Sequence, residues 1–452
     1  MNSLTLDNGL RVVYASSPTN TVYLGLALDA GTRDETDEES GMAHFAEHLS
    51  FKGTDRRTSR QIITYMESVG GDLNAFTGKE ETVYYCTCQK EHFRRAMDIL
   101  FDVVFHSKYP QEEMDKEVEV VIDEIESYND SPSELIYDDF EAMLFQGHPL
   151  GRNILGDADR LRTYKTEDVL NYTHRLYVPS NAVLFVYGNV SEKEIMKQIK
   201  HALPTDPGPT PLPLHKGGEY NVLLMGHKSV VTTPSPCGRA RSSEEAPSVL
   251  LCLGRGALPS ATRGQVGEGS GVRRVIHKDT HQAHIMMGAR AFGGNHEKHL
   301  ALFLANNILG GPGLSSRLNL ALREKRGLVY TVESTLTTYT DTGVWAIYFA
   351  CDHHDAERCK RIVKKELQRL CDAPLSDKAL AAAKRQIIGQ IALSYDNFES
   401  VAIGMGKRML HYGRTQTKEK MIERIQALTA EQVWDAAKEV FNPENLTILE
   451  YR

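Results

Sequence analysis

The first feature of this chain that could do chemistry is a pair of histidines with a glutamate between them. His44 and His48 are four residues apart, and Glu47 directly precedes the second. Residues i and i+4 of an α-helix lie on one face, so both imidazoles can reach a single metal ion. Zinc in catalytic sites takes three protein ligands and keeps a fourth position open. The spacing therefore predicts two zinc ligands, with Glu47 close enough to hold the attacking water. Five residues alone leave open a helix with two ordinary histidines and an exposed acid.

A third ligand should come from a separate helix that faces the first. Residues 112–127 are helical in composition and carry six glutamates, most of which would form a solvated face. Glu117 and Glu124 are seven residues apart, nearly two turns, so they share a face of this helix. The residues alone leave both as candidates. The helix is held inward by an apolar stripe of Val118, Val121, Ile122 and Ile125.

The two ends of the chain repeat one order of elements. The first copy predicts a strand, a helix, paired strands and two further helices at 22–30, 41–51, 83–86, 91–106 and 112–130. The second copy predicts the same order, with matching segments at 283–292, 297–309, 344–348, 355–371 and up to 397. When the copies are aligned, five candidate site residues of the first copy correspond to residues that cannot serve the same chemistry in the second. In chain order, His44, Glu47, His48, Glu117 and Glu124 correspond to Phe303, Asn306, Asn307, Lys384 and Ile391. The sequence thus predicts a duplicated α+β unit with metal chemistry in one copy only.

Composition narrows the classes of protein that remain. At 452 residues, the chain suits two or more domains. Hydrophobic and charged contents of 41% and 25% are those of a soluble globular protein. A net charge of −8 argues against nucleic-acid binding, and no stretch approaches the ~20 apolar residues of a membrane helix. Seven cysteines without CxxC spacing, and no signal or transit segment, favour a cytoplasmic protein with reduced thiols.

The segment 41–54 around these histidines resembles the active-site helix of the pitrilysin and mitochondrial processing peptidase family, a group of inverzincin peptidases. The match is to its smaller members, which resemble the processing peptidase β subunit. In that family a glutamate 76 residues beyond the second histidine is the third zinc ligand, which falls on Glu124. A further glutamate one heptad earlier is held near the metal, and it falls on Glu117. The resemblance covers roughly 3–210 and 274–450.

The same resemblance implies where substrate binds. The family's substrate-binding edge strand matches 70–77, which contains Asn74, Ala75 and Phe76. Its paired arginine and tyrosine, seven residues apart, fall on Arg323 and Tyr330 in the second half. Without the family, the first segment would be taken for a half-buried strand and the second for a solvated helix end.

The resemblance also implies the fold and the domain organisation. The expected fold is α+β, with two homologous domains, each a mainly antiparallel β-sheet packed with helices, that enclose a chamber. Residues 1–210 would form the catalytic zinc-binding domain and residues 274–452 the inactive, structurally related domain. Residues 211–273 would form a flexible linker or insertion, because 219–272 is rich in Ser, Pro, Gly and Arg and sustains no period.

The sequence therefore predicts a zinc-dependent endopeptidase that hydrolyses short or unfolded peptides. His44, His48 and Glu124 would bind one zinc ion per chain, and Glu47 would be the general base. Glu117 would either orient a histidine or stand in as an alternate carboxylate. A homodimer is expected from the resemblance. The alternatives are a non-catalytic peptide-binding or scaffold subunit, and the catalytic subunit of a heteromeric presequence-processing peptidase.

Overall fold

The computed structural model describes residues 1–17, 19–203 and 271–452. Residues 1–203 are called the first half below, and 271–452 the second half. Almost all of the predicted linker at 211–273 lies outside the described residues, so that prediction stays a prediction.

The first half contains a sheet, sheet 1, with the strand order β1-β2-β6-β3-β5-β4. Its strands are β1 (Asn2–Thr5), β2 (Arg11–Ala15), β3 (Thr21–Leu28), β4 (Asp72–Thr77), β5 (Thr82–Gln89) and β6 (Ala182–Tyr187). Its helices are α1 (Met42–Ser50), α2 (Ser59–Glu67), α3 (Phe93–Phe105), α4 (Gln111–Asn129), α5 (Pro132–Leu144), α6 (Ala158–Leu161), α7 (Thr166–Leu176) and α8 (Glu192–Ala202). The predicted helices at 41–51, 91–106 and 112–127 therefore correspond to α1, α3 and α4.

The second half contains sheet 2, with the strand order β7-β11-β8-β10-β9. Its strands are β7 (Arg273–Ile276), β8 (Ala283–Phe292), β9 (Val329–Thr338), β10 (Thr342–Cys351) and β11 (Thr447–Tyr451). Its helices are α9 (His299–Gly310), α10 (Ala356–Asp372), α11 (Asp377–Ser394), α12 (Phe398–Tyr412), α13 (Lys418–Ala427) and α14 (Ala430–Val440), with a short π-helix at Asn319–Glu324.

The two sheets have the same connectivity, which confirms the predicted α+β fold of two related units. In each, the first shared strand pairs in parallel with the last, β2 with β6 and β7 with β11. The remaining pairs are antiparallel, and a hairpin forms the far edge, β5 with β4 and β10 with β9. The helix that carries the histidines, α1, follows β3 as α9 follows β8. Sheet 1 has one additional strand, β1, at its other edge.

The central strands are buried on both faces because the two halves exchange helices. In β3, β5 and β6, alternate residues face the helices of their own half, while the others, including Ala27, Val83 and Phe185, pack against α12 of the second half. Reciprocally, α5 of the first half packs on sheet 2. A Cβ on Gly406 of α12 would lie 2.3 Å from the Phe185 ring, so glycine allows this close approach. Strands covered on both sides have near-continuous apolar sequences.

Among the described residues, no helix is both long enough and apolar enough to cross a bilayer.

Candidate metal centre

The N-terminus of α1, the helix that carries both histidines, is held in place by a glycine N-cap and a buried glutamate. Its N-cap, Gly41, has a left-handed φ of 79°, a conformation that glycine adopts without strain. The buried carboxylate of Glu35 accepts hydrogen bonds from Gly41 N at 3.2 Å and Ala43 N at 2.9 Å, and so satisfies two of the unpaired donors at the helix start. Burial raises the pKa of Glu35 to about 8, although the two backbone hydrogen bonds act to lower it.

The helix α4 brings two glutamates to the histidines. Its predicted apolar stripe is confirmed, because Val118, Val121 and Ile122 are buried in the core of the first half. Glu117 and Glu124 share the adjacent face, as their spacing predicts. Most of the remaining acidic side chains of α4 point to solvent.

Three potential metal ligands converge where α1 faces α4. The donor atoms of His44, His48 and Glu124 all lie within 4.8 Å of one another. Glu124 Oε2 lies 3.9 Å from His44 Nε2 and 3.6 Å from His48 Nε2. Ligands ~2.0–2.2 Å from zinc at tetrahedral angles stand about 3.4 Å apart, so the cluster is only slightly wider than a zinc site. The two nitrogens and one carboxylate oxygen are also a donor set that zinc accepts.

The electrostatics of the two histidines differ in a way that suits a cation between them. Burial, and then the neighbouring His48, lower the pKa of His44 well below its usual value, so His44 is neutral. A neutral imidazole is the form that binds a metal. For His48, burial acts to lower the pKa, but Glu117, Glu47 and Glu124 together raise it. These carboxylates favour positive charge at the position that a metal ion would occupy.

Glu117 contacts the other side of His48. Its Oε1 lies 3.0 Å from His48 Nδ1, and its Oε2 pairs with Lys52. With the Nδ1 proton donated to this carboxylate, the Nε2 lone pair of His48 is directed towards Glu124. Burial acts to raise the pKa of Glu117, but His48 and Lys52 lower it below its usual value. Glu117 is therefore in position to orient His48, and Glu124 is the carboxylate that faces both Nε2 atoms.

Glu47 is buried beside the cluster and held by the edge strand. Thr77 Oγ1, at the end of β4, donates a 2.7 Å hydrogen bond to Glu47 Oε2. Burial raises the pKa of Glu47, while His48 and the Thr77 hydrogen bond lower it. One carboxylate oxygen is thus fixed, and Oε1 is left to accept a proton.

Four of the five sequence-predicted substrate residues lie on the edge strands of the two sheets, and Arg323 lies in the short π-helix before β9. Asn74 and Ala75 are buried in β4, and Phe76 beside them contacts the Tyr85 ring. In the second half, Tyr330 lies in β9 and is 80% exposed, with the Arg323 guanidinium 5.7 Å from its ring centre. These two side chains contact each other. Within the described residues, neither hydrogen-bonds or ion-pairs with the metal cluster.

Comparison with known families agrees with this geometry. Residues 11–158 match the family described as insulinase, peptidase family M16. Residues 164–236 and 240–387 match the inactive domain of peptidase family M16. A Bacillus subtilis protein named as the uncharacterized zinc protease YmxG is 30% identical over 97% of this chain and 95% of its own length.

The chain belongs to peptidase family M16, the insulinase family.

Other M16 relatives extend the comparison. The rat mitochondrial-processing peptidase subunit beta is 29% identical over 95% of this chain and 79% of its own. Among solved structures, a protease from Helicobacter pylori superposes with a TM-score of 0.81, at 20% identity, over 100% of this chain and 99% of that one. A putative M16-like peptidase from Alicyclobacillus acidocaldarius gives a TM-score of 0.77 at 20% identity, over 100% and 97%. At that identity, the structures support the two-unit fold.

Three residues of this M16 site were missed by sequence reasoning. Lys52 and Thr77 lie inside the segments that carry the family resemblance, but nothing in their spacing marks a contact with Glu117 or Glu47. Glu35 had a weak signal, since an acidic residue shortly before a helix start is favourable near the positive end of the helix. Lys52 and Thr77 each contact a named site residue, and Glu35 binds two backbone amides at the start of α1, contacts that only the folded chain reveals.

Proposed function

We propose that this chain is a zinc-dependent endopeptidase that hydrolyses short or unfolded peptides. The observation that carries the proposal is the convergence of His44, His48 and Glu124 with a buried Glu47 beside them. Family M16 relatives that span nearly the whole chain are named as zinc proteases, which supports the same assignment. We propose one zinc ion per chain, held by His44, His48 and Glu124.

A bound zinc ion would polarise the scissile carbonyl and lower the pKa of water from 15.7 to about 7. Glu47 would take the proton of the attacking water at Oε1, since Thr77 holds Oε2, and would deliver it to the leaving amine. Glu117 would keep the His48 ring in its orientation through Nδ1.

Substrate would bind along the edge strand β4. An extended peptide can add to an exposed sheet edge through main-chain hydrogen bonds, which demand little of its sequence. Asn74, Ala75 and Phe76 would supply that edge next to Thr77 and Glu47. From the second half, Arg323 and Tyr330 would donate to the substrate backbone or the developing oxyanion. A chamber between the two halves, which we propose from the family resemblance, would admit short or unfolded chains.

Two further properties remain proposals. A homodimer would follow the pattern of family members of this size, and light scattering at micromolar concentration would test it. A cytoplasmic location would agree with the reduced cysteines, which are all unpaired among the described residues.

The second candidate is the catalytic subunit of a heteromeric peptidase. It is favoured by the similarity to the rat mitochondrial-processing peptidase subunit beta. However, Arg323 and Tyr330 lie in the same chain as the metal cluster, so we propose that the chain acts without a second kind of subunit. A purely scaffolding role would leave the convergence of three candidate ligands beside the buried Glu47 without a purpose.

Metal analysis together with a peptide digest tests the proposal. Purified protein should contain about one zinc per chain and cleave unstructured peptides internally, and a chelator should abolish the cleavage. If the purified chain cleaves peptides only after a second, co-purifying chain is added, the heteromeric candidate is favoured. Protein with neither zinc nor cleavage, after incubation with zinc, would contradict both.

A further inference from the structure

A buried and charged turn, 78–81, joins the edge strand β4 to β5. Lys79, Glu80 and Glu81 are each less than a tenth exposed, although charged side chains are almost never buried unless they are paired. A backbone hydrogen bond of 2.7 Å closes the turn. Thr77, which donates to Glu47, immediately precedes it. The position of this turn therefore sets where the Thr77 hydroxyl meets the candidate base.

Glu81 is bound by the exchanged helix α12 of the second half. His411 Nε2 lies 2.9 Å from Glu81 Oε2, and the Lys407 ammonium pairs with Oε1. The His411 side chain is only 2% exposed, and its Nδ1 lies 3.9 Å from Asp29 at the end of β3. Although burial opposes the charge, Lys407 and His411 lower the pKa of Glu81 to about 2.

Glu80 is bound by the hairpin turn between β9 and β10. Thr340 donates to Glu80 through its backbone N at 2.9 Å and through Oγ1 at 2.7 Å. The guanidinium of Arg33 pairs with the same carboxylate and reaches Asp341 through hydrogen bonds of 2.9 and 2.6 Å. Two separate elements of the second half thus bind two adjacent residues of one turn in the first half. These contacts of α12 with Glu81 and of the β9–β10 turn with Glu80 are called the grip below.

We propose that the second half positions the candidate general base, through His411 on Glu81 and Thr340 on Glu80, which hold the turn that fixes Thr77 against Glu47. This inference rests on the proposed function insofar as it concerns catalysis. His411 and Thr340 are positioning residues, since they contact the turn and none of their described contacts is with Glu47 or the metal cluster. The second half then contributes to the reaction in two ways, through its exposed Arg323 and Tyr330 and through this buried grip.

The expected effect is large because the connection between Glu81 and Glu47 is short, running through the closed turn and the Thr77 hydroxyl. Loss of His411 leaves the buried Glu81 with one hydrogen-bond partner fewer, with Lys407 still paired to it, and the turn can then shift towards solvent or a new partner. A shift of about 1 Å in a positioning element can cost roughly 10² in rate. Misplacing the base should reduce kcat more than it raises KM, because Glu47 takes its proton in the transition state.

The variant His411→Ala removes one of the two described side-chain partners of Glu81 and leaves Lys407, and His411→Gln restores a donor of similar size. We expect His411→Ala to lower kcat by roughly 10², with KM and zinc content unchanged, and His411→Gln to recover most of the loss. The matched control is Tyr451→Phe, which removes a partly buried hydrogen bond of 2.6 Å between the halves, from Tyr451 to Asp139 on α5, without touching the turn. This control should cleave peptide at the wild-type rate.

A double-mutant cycle with Thr77→Val separates positioning from general destabilisation. If His411 acts through Thr77, His411→Ala should cost much less in the Thr77→Val background than in wild type. A structural role elsewhere would give losses that multiply, because independent sites are additive in free energy. Multiplying losses, an equal loss in Tyr451→Phe, or wild-type kcat in a folded His411→Ala protein would overturn the proposal.

Hydrogen exchange tests the grip without relying on activity. Backbone amides of 72–82 should exchange at least several-fold faster in His411→Ala than in wild type, and those of β8 at the wild-type rate. Should His411→Ala not fold, Thr340→Ala, which removes the hydroxyl donor to Glu80, carries the same comparison. Unchanged exchange at 72–82 would overturn the grip even in an active enzyme. If the wild-type protein neither binds zinc nor cleaves peptide, but 72–82 exchange faster in His411→Ala than in wild type, the grip is supported and the proposed function is contradicted.

Discussion

The first half uses the face between α1 and α4 for a cluster of polar ligands, and the second half fills the equivalent face with its core. At the positions of His44 and Glu124, the second half has Phe303 and Ile391, both buried in the apolar core against sheet 2. The same order of strands and helices therefore supports two different interiors. What differs is the side chains, not the scaffold that carries them.

Asn306 stands at the position of Glu47, and its side chain is held by hydrogen bonds within the core of the second half. Its amide donates to Ser334 O at 3.0 Å, and its Oδ1 accepts from Ser334 Oγ at 2.5 Å and Trp345 Nε1 at 3.1 Å. Buried side-chain nitrogens without a hydrogen-bond partner among the described residues occur in both halves, at His44 Nδ1 and at Asn307 Nδ2, the equivalent of His48. The halves differ instead at Glu47 and Asn306: both polar atoms of the Asn306 amide hydrogen-bond within the core, whereas Glu47 accepts a described hydrogen bond, from Thr77, at Oε2 alone.

The variant Glu124→Ile gives the first half the residue type that the second half has at the equivalent position, Ile391. We expect it to bind no zinc and to lose cleavage completely, while the metal-free protein stays at least as stable as wild type, because a carboxylate whose pKa burial raises is removed. Zinc content and urea unfolding measure both effects. The control Glu126→Ile, on the exposed side of α4, should keep zinc and activity.

The second half should contribute to turnover without contributing to metal binding. Arg323→Ala and Tyr330→Phe should each lower kcat/KM by up to roughly 10²–10³, the usual effect of one lost donor to an oxyanion, with zinc content unchanged. Lys325→Ala, an exposed neighbour, is the control. Wild-type cleavage by both variants would show that this half does not contact substrate through them.

The hydrogen bond that His48 Nδ1 donates to Glu117 should matter for zinc affinity more than for chemistry. We expect Glu117→Gln to weaken zinc binding by about 10- to 100-fold, as for other residues that orient a ligand. Lys52→Met should have a smaller effect, since Lys52 contacts Glu117 and not a ligand. Competition with a zinc chelator gives both constants, and equal affinities in wild type and Glu117→Gln would contradict the orienting role.

The closed network of the second half should matter for stability alone. Asn306→Ala leaves the polar groups of Ser334 and Trp345 with fewer partners in the core, which should lower the free energy of unfolding by about 1–3 kcal/mol. Urea denaturation measures the change. Zinc content should be unchanged, and its loss would mean that the two faces are coupled.

Sequence periodicity predicted the elements that build each half, but not how the halves interlock. The helices α1, α3 and α4 and the strands β3, β5, β8 and β10 follow from the residue pattern, and the duplication follows from their order. The strand β9 was not predicted, since the residues before it are charged and resemble a solvated helix end. The exchange of α5 and α12 was not predictable, since continuous apolar strands show that both faces are covered without showing by which helix.

The candidate site was predictable to a similar extent. Residue spacing reduced the third ligand to Glu117 or Glu124, and the family resemblance favoured Glu124. The geometry separates them, because Glu117 contacts His48 Nδ1 and Lys52 while Glu124 faces both Nε2 atoms. Contacts such as Thr77 with Glu47 and His411 with Glu81 join residues that share no period, so only the folded chain brings them together.

The most direct test of the central claim is peptide cleavage by Glu47→Gln, measured on protein whose zinc content is determined in the same preparation. The substitution keeps the size of the side chain and removes the proton acceptor. The account predicts one zinc per chain, as in wild type, and a loss of at least ~10²–10⁴ in kcat, the contribution of general-base catalysis. Wild-type turnover by the zinc-loaded variant would contradict it.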